Sequence, residues 1–106
     1  MVLKILAFQD RHENKDAYDL VFTLLNYEGG PRRAGAAAAE SSVAEHPQSV
    51  NALTLLGERF GDAAQDGPIA YASFLATAGD EEGEARFRQE AVATVREFRR
   101  GFAAGR

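Results

Sequence analysis

The sequence predicts an all-α protein, a compact bundle of five or six helices that starts with a helical hairpin. Apolar residues recur at spacings of three and four along most of the chain, the period of an amphipathic helix. No β-branched run alternates with polar residues, as a strand would require. Glycine and proline divide the chain, and Pro31, Pro47 and Pro68 each stand where a helix could begin. A chain of 106 residues is expected to form a single helical domain over residues 1–106.

The hairpin is predicted from two segments, residues 2–10 and 14–27. Asn14 is expected to cap the second helix, and Asp16 lies in its first turn, where the helix dipole favours a carboxylate. The spacing i, i+3, i+4, i+7 predicts a stripe that faces the core, formed by Tyr18, Val21, Phe22 and Leu25 and widened by Leu20, Leu24 and Tyr27. Residues 28–31, Glu-Gly-Gly-Pro, are predicted to end this helix and turn the chain.

Four more helices are expected, over residues 32–45, 47–60, 66–79 and from Asp80 to the C-terminus. The third is rich in alanine between Ala34 and Ala39. Asp66-Gly67-Pro68 predicts a capped start for the fifth, with Gly79 at its end, and Asp80 is expected to cap the sixth. The predicted inward side chains of the fourth helix are Val50, Leu53, Leu56 and Phe60. The fifth helix carries the apolar residues Ile69, Tyr71, Phe74 and Leu75, and the stripe of the sixth is formed by Phe87, Ala91, Val95, Phe98 and Phe102.

Composition excludes several classes of protein. Cysteine is absent, so disulfides and thiolate chemistry are excluded and a reducing, cytoplasmic location is expected. No apolar run is long enough to span a membrane, so no membrane association is predicted. The net charge is −4, and residues 34–85 carry nine acidic side chains against Arg59 alone. This acidic middle argues against non-specific binding of nucleic acid.

Charged residues cluster in the first two predicted helices, at Lys4, Arg11, Lys15, Asp16 and Asp19. The two aspartates are i, i+3 neighbours, and Lys15 and Asp19 stand at the i, i+4 spacing of a helical ion pair. If the hairpin forms, the cations of the first helix can approach these acids. Such a group suits binding of a triphosphate and proton transfer. It also suits an ion-pair network that fixes the turn between the helices.

The order of these residues resembles two motifs of the abortive-infection-type (AbiEii-like) nucleotidyltransferases of the DNA polymerase β-like superfamily. Residues 4–7, Lys-Ile-Leu-Ala, resemble the K-x-x-A motif, and residues 11–19 resemble the R-x3-K-D-x-x-D motif. The resemblance covers about the first 27 residues. It implies that Asp16 and Asp19 are catalytic and that Lys4, Arg11 and Lys15 bind the nucleotide.

The sequence departs from that family in one important respect. The family's G-S and D-x-D residues, which hold two Mg²⁺ ions on a sheet domain, have no counterpart here. The chain therefore resembles the C-terminal helical portion of such an enzyme, truncated and with the catalytic sheet domain absent upstream. On this reading it has no metal site or cofactor of its own and is inactive alone. Mg²⁺ and a nucleoside triphosphate would bind if a catalytic domain completed the site in trans.

A second hypothesis makes the chain a helical interaction module, antitoxin-like or partner-binding, whose N-terminal charges are structural. Apolar residues all round the first predicted helix predict exposed apolar surface and hence a homodimer. Other sites are not expected. His12 and His46 are far apart with no cysteine nearby, which disfavours zinc. Phe87, Phe98 and Phe102 alternate with arginines, but at helical spacing they are predicted to be core residues.

Overall fold

The computed structural model describes residues 14–40 and 47–105, and over these residues the chain forms five helices and no strand. The prediction of an all-α bundle is therefore confirmed. The helices are α1 (Asn14–Leu25), α2 (Gly30–Glu40), α3 (Pro47–Phe60), α4 (Asp66–Leu75) and α5 (Glu81–Ala104). The first predicted helix, and with it the hairpin, lies outside the described residues.

The long C-terminal helix α5 organises the bundle, since it contacts each of the other four helices. Its inward side is a stripe of apolar residues, all buried: Ala91, Val92, Val95, Phe98 and Phe102. This confirms the predicted core positions at residues 91, 95, 98 and 102, and Phe87 packs half-buried against the same core. The arginines between these phenylalanines therefore face outward while the rings stabilise the bundle.

The buried stripe of α1 is displaced by one position from the four-residue pattern predicted for it. Its fully buried members are Ala17, Leu20, Val21 and Leu24. These positions follow the same i, i+3, i+4, i+7 pattern as the prediction, displaced one step toward the N-terminus. Phe22 and Leu25, predicted to be core residues, are 49% and 41% exposed. The prediction is confirmed for Leu20, Val21 and Leu24 and is wrong for Phe22, Leu25 and Tyr27. Because α1 is apolar on most of its circumference, the period fits either stripe.

Two further expectations about α3 and α4 need correction. Leu56 and Phe60 are buried as predicted, but Val50 is 47% exposed, because Ala52, Leu56 and Phe60 set the inward side of α3 at i, i+4, i+8. Helix α4 ends at Leu75 and not at Gly79, because Ala76 adopts an extended backbone conformation. Of the apolar residues of α4, Tyr71 is buried, while Ile69 and Phe74 are exposed.

The predicted helix boundaries follow recognisable local signals. Gly29 and Gly30 have φ of 91° and 89°, a conformation that glycine adopts without strain, and they turn the chain between α1 and α2. The Asp80 carboxylate accepts a hydrogen bond of 2.9 Å from the amide of Gly83, which confirms it as the cap of α5. Asp66 is not a cap. It lies in the first turn of α4 and forms an ion pair of 3.3 Å with Arg59.

Helices α2 and α5 pack at unusually short range through residues without side chains. A Cβ atom placed on Gly35 would overlap the backbone carbonyl of Phe98, and one on Gly101 would overlap the carbonyl of Arg32. Glycine is required where two backbones approach this closely. The alanine-rich segment of α2 thus supplies one side of the closest helix contact in the bundle.

Candidate functional site

Three of the five residues assigned to the nucleotidyltransferase-like site lie in the first two turns of α1. Lys15 and Asp19 form an ion pair with 3.2 Å between Nζ and Oδ2. Both groups are accessible, because the side chain of Lys15 is 68% exposed and that of Asp19 is 35% exposed. The pair lies on the side of α1 away from Leu20 and Leu24, and the i, i+4 spacing accounts for its formation.

Asp16 occupies a different environment from Asp19, although the two are only three residues apart. It is buried, with 7% of its surface exposed, in the first turn of α1, where the helix dipole stabilises a carboxylate. Asp16 also has an interaction partner. The described part of the structure therefore places one acid inside the fold and the other in a surface ion pair.

Lys4 and Arg11 lie outside the described residues, and so does the K-x-x-A motif. The distances from Lys4 and Arg11 to Asp16 and Asp19 therefore also fall outside the described part of the chain. Among residues 14–40 and 47–105, no group of three or more histidine, aspartate or glutamate side chains is arranged to hold a metal ion. No helix in the same residues is long and apolar enough to cross a membrane.

A cluster of exposed aromatic rings on α1 and α4 is the clearest surface feature near this ion pair. Tyr18 stacks on Phe74 with 4.8 Å between ring centroids and contacts Phe22 at 5.5 Å. Phe22 is half exposed, and Phe74 is 44% exposed. Leu25 follows Phe22 on the next turn of α1. We call Tyr18, Phe22, Leu25 and Phe74 the aromatic face.

Beneath the aromatic face, a buried tyrosine connects α4 to α5. The ring of Tyr71 stacks 6.3 Å from Tyr18 and meets the edge of Phe87 at the same distance. Its hydroxyl donates a hydrogen bond to the carboxylate of Glu90. Burial, and then the hydrogen bond and negative charge of Glu90, raise the pKa of Tyr71 well above its usual range. Tyr71 is therefore a structural hydrogen-bond donor that stays neutral.

The sequence predicts Phe22 to be a core residue and gives Phe74 no position in the fold, so the aromatic face is not predicted. A signal was present for Phe22, since it falls opposite the positions of Leu20 and Leu24 on a helical wheel. No comparable signal indicated that Tyr18 and Phe74 meet, because they belong to helices far apart in sequence.

The described geometry adds no test of the resemblance to nucleotidyltransferases, which stays a prediction. No family model matches the chain, and no curated protein and no solved structure matches it either.

Proposed function

We propose that this chain is a helical interaction module that pairs with a second copy of itself through the aromatic face. The observation that carries this proposal is the exposure of two phenylalanine rings, Phe22 and Phe74, side by side with Tyr18. Single exposed apolar residues are normal on a protein surface, but contiguous ones indicate a binding surface.

The size of the aromatic face supports association of modest strength. A half-exposed phenylalanine leaves roughly 100 Å² of ring surface in water, so the whole face presents about 300 Å². Covering the aromatic face on both copies removes apolar surface from water, which stabilises the pair by roughly 25 cal/mol per Å². Surrounding polar residues would have to complete the roughly 800 Å² per partner of a standard interface. With so small an apolar centre, the interface belongs to the weak, transient class, and the dimer is expected to dissociate on dilution.

The charges beside the aromatic face favour a second copy over a strongly charged partner. Lys15 and Asp19, on the same side of α1 as Phe22, neutralise each other within one chain. Two copies can therefore meet across a two-fold axis without like charges at the centre of the interface. A highly acidic or basic partner would gain no net attraction there.

Sedimentation velocity over a micromolar concentration series tests the proposal. The wild type should show a concentration-dependent increase in sedimentation coefficient. Phe22→Ser and Phe74→Ser should each shift the chain to monomer, with unchanged helical circular dichroism. Ile69→Ser is the matched control, because Ile69 is also an exposed apolar residue of α4 but lies on another side of the helix from Phe74.

Two outcomes would contradict self-association through this surface. The first is a wild-type chain that stays monomeric over the whole series. The second is an equal effect of Ile69→Ser and Phe22→Ser, which would show that the aromatic face has no special part in association.

The second candidate is the nucleotidyltransferase-like portion that the motifs in residues 4–19 suggest. One geometric observation favours it: Lys15 and Asp19 lie together on accessible surface at the start of α1. We expect no nucleotidyl transfer by the chain alone with Mg²⁺ or Mn²⁺, since the two-metal carboxylates are missing from the sequence. A labelled-nucleotide assay, with the chain alone and then with an upstream catalytic segment added, tests this. Transfer only in the mixture, lost in Lys4→Ala and Asp19→Ala, would support it.

A further inference from the structure

A groove between α3 and α5 lies on different helices from the aromatic face. Its volume is about 500 Å³, and it is open to solvent along its length. It is lined by Val50, Leu53, Thr54, Arg96, Arg99, Arg100, Phe102 and Ala103. Among the residues that the structure describes, the lining therefore combines an apolar floor with three arginines from one helix and includes no acidic residue.

Two of the three arginines carry charge that the described residues do not neutralise. Arg100 pairs with Glu97 at 3.3 Å, and Glu97 also approaches Arg32 at 3.9 Å. Arg96 and Arg99 form no ion pair within residues 14–40 and 47–105. The groove therefore presents an excess of positive charge in a chain whose net charge is −4.

Arg99 packs against α3 at Gly57. Its guanidinium carbon lies 3.0 Å from the position that a Cβ atom on Gly57 would occupy. The absence of a side chain at Gly57 thus leaves room for the guanidinium group against the helix. An arginine that packs in this way loses less conformational freedom when it binds a carboxylate.

We propose that this groove binds an acidic amphipathic helix of a partner protein. Residues 96–103 span two turns of α5, about 10 Å, which is the length over which a helix presents side chains at i, i+3 or i+4, and i+7. The apolar side chains of such a helix would cover Val50 and Leu53. Its aspartate or glutamate side chains would pair with Arg96 and Arg99.

The open shape of the groove favours an acidic helix over a small anionic ligand or a nucleic acid. Small-molecule sites usually enclose most of their ligand, and this groove is open along one side. Nucleic acid would gain little from the apolar floor and would meet the acidic surface of residues 34–85. A helix needs only one of its faces covered. Apolar side chains on that face would match the apolar floor of the groove, and acidic side chains would match its arginines.

Fluorescence anisotropy with three labelled peptides tests the proposal. The first is a designed helix with leucines at i, i+3 and i+7 flanked by glutamates, the second replaces the glutamates with lysines, and the third scrambles the first. The first should bind saturably, and the other two should bind at least about tenfold more weakly. The double variant Arg96→Glu/Arg99→Glu should weaken the first peptide by at least about tenfold and strengthen the lysine peptide.

Two matched variants separate the groove from general charge effects. Arg86→Glu changes an exposed arginine of α5 outside the groove and should leave binding of the first peptide unchanged. Val50→Asn changes an exposed floor residue and should weaken binding severalfold without altering the charge. Equal binding of the scrambled peptide would overturn the proposal, as would an equal effect of Arg86→Glu. Tighter binding of a single-stranded oligonucleotide to the same arginines would overturn it in favour of a nucleic-acid site.

Discussion

The backbone of Gly101 lies directly against the carbonyl group of Arg32, where a side chain on residue 101 would have to stand. Helix α5 can approach α2 this closely only because residue 101 is a glycine. Gly101→Ala should therefore lower the free energy of unfolding by about 1–3 kcal/mol, since the obstructing atom belongs to the backbone and cannot rotate away. Chemical denaturation of the purified variant measures this change.

Gly57→Ala provides the matched control for that substitution. It makes the same chemical change inside a helix, but the new methyl group would meet only the end of the Arg99 side chain. Alanine should stabilise α3 by roughly 0.5–1 kcal/mol relative to glycine. Equal destabilisation by the two variants would show that the short contact between α2 and α5 is not special.

Neighbouring leucines of α1 test the position of its buried stripe. Leu24 is fully buried and Leu25 is 41% exposed. Leu24→Ala should cost about 2–5 kcal/mol, while Leu25→Ala should cost less than about 1 kcal/mol in the monomer. Thermal denaturation at a concentration below self-association separates the two. A larger loss from Leu25→Ala would restore the stripe predicted from the sequence.

The two aspartates of α1 should differ in their contribution to stability. The Lys15–Asp19 pair is accessible and of the i, i+4 type, so Asp19→Asn should change the free energy of unfolding by no more than about 0.5 kcal/mol. Asp16 is buried, and Asp16→Ala should cost about 1–3 kcal/mol. Equilibrium unfolding in urea measures both. A loss at Asp19 as large as that at Asp16 would contradict the placement of Asp19 at the surface.

The hydroxyl of Tyr71 should remain protonated in alkaline solution. Its pKa is raised above the ordinary value of 10.0, first by burial and then by Glu90. The folded state therefore holds this proton more tightly than the unfolded chain. The resulting contribution to stability is fully present below pH 10.0 and is lost as the pH rises through the higher folded pKa.

Absorbance of tyrosinate provides the measurement for Tyr71. Near its ordinary pKa of 10.0, the folded wild type and Tyr71→Phe should show the same absorbance change, because Tyr71 does not ionise there. After unfolding in urea, the wild type should show the larger change. A smaller amplitude for folded Tyr71→Phe would mean that Tyr71 ionises normally.

The sequence predicted those features of the fold that depend on neighbours along one helix. The Asp80 cap, the turn at Gly29 and Gly30, and the stripe of α5 through Val95 and Phe98 all follow from short spacings. In α1, hydrophobicity alone favours the large Phe22 over the small Ala17 as a core residue, although Ala17 is buried and Phe22 is exposed.

Features that join distant helices could not be predicted from one sequence. The ion pair of Lys15 and Asp19 follows from i, i+4 spacing, so this part of the candidate site was foreseen. The stack of Tyr18 on Phe74 and the position of Arg99 beside Gly57 depend on how two separate helix pairs cross, α1 with α4 and α3 with α5. No local period encodes such crossings, because they result from packing of the whole bundle.

The central position of α5 has a consequence for the order in which the protein folds. Helices α1 to α4 all precede α5 along the chain, and each of them contacts it. During synthesis, α2 emerges before α3 and α4. Gly101 of α5, against which the backbone of α2 packs, emerges only after them. Before α5 has emerged, α1 and α4 can already pack on each other, but α2 lacks its main partner, and an isolated helix of this length is marginal in water. The packing of α2 is therefore expected to become stable only once α5 has emerged.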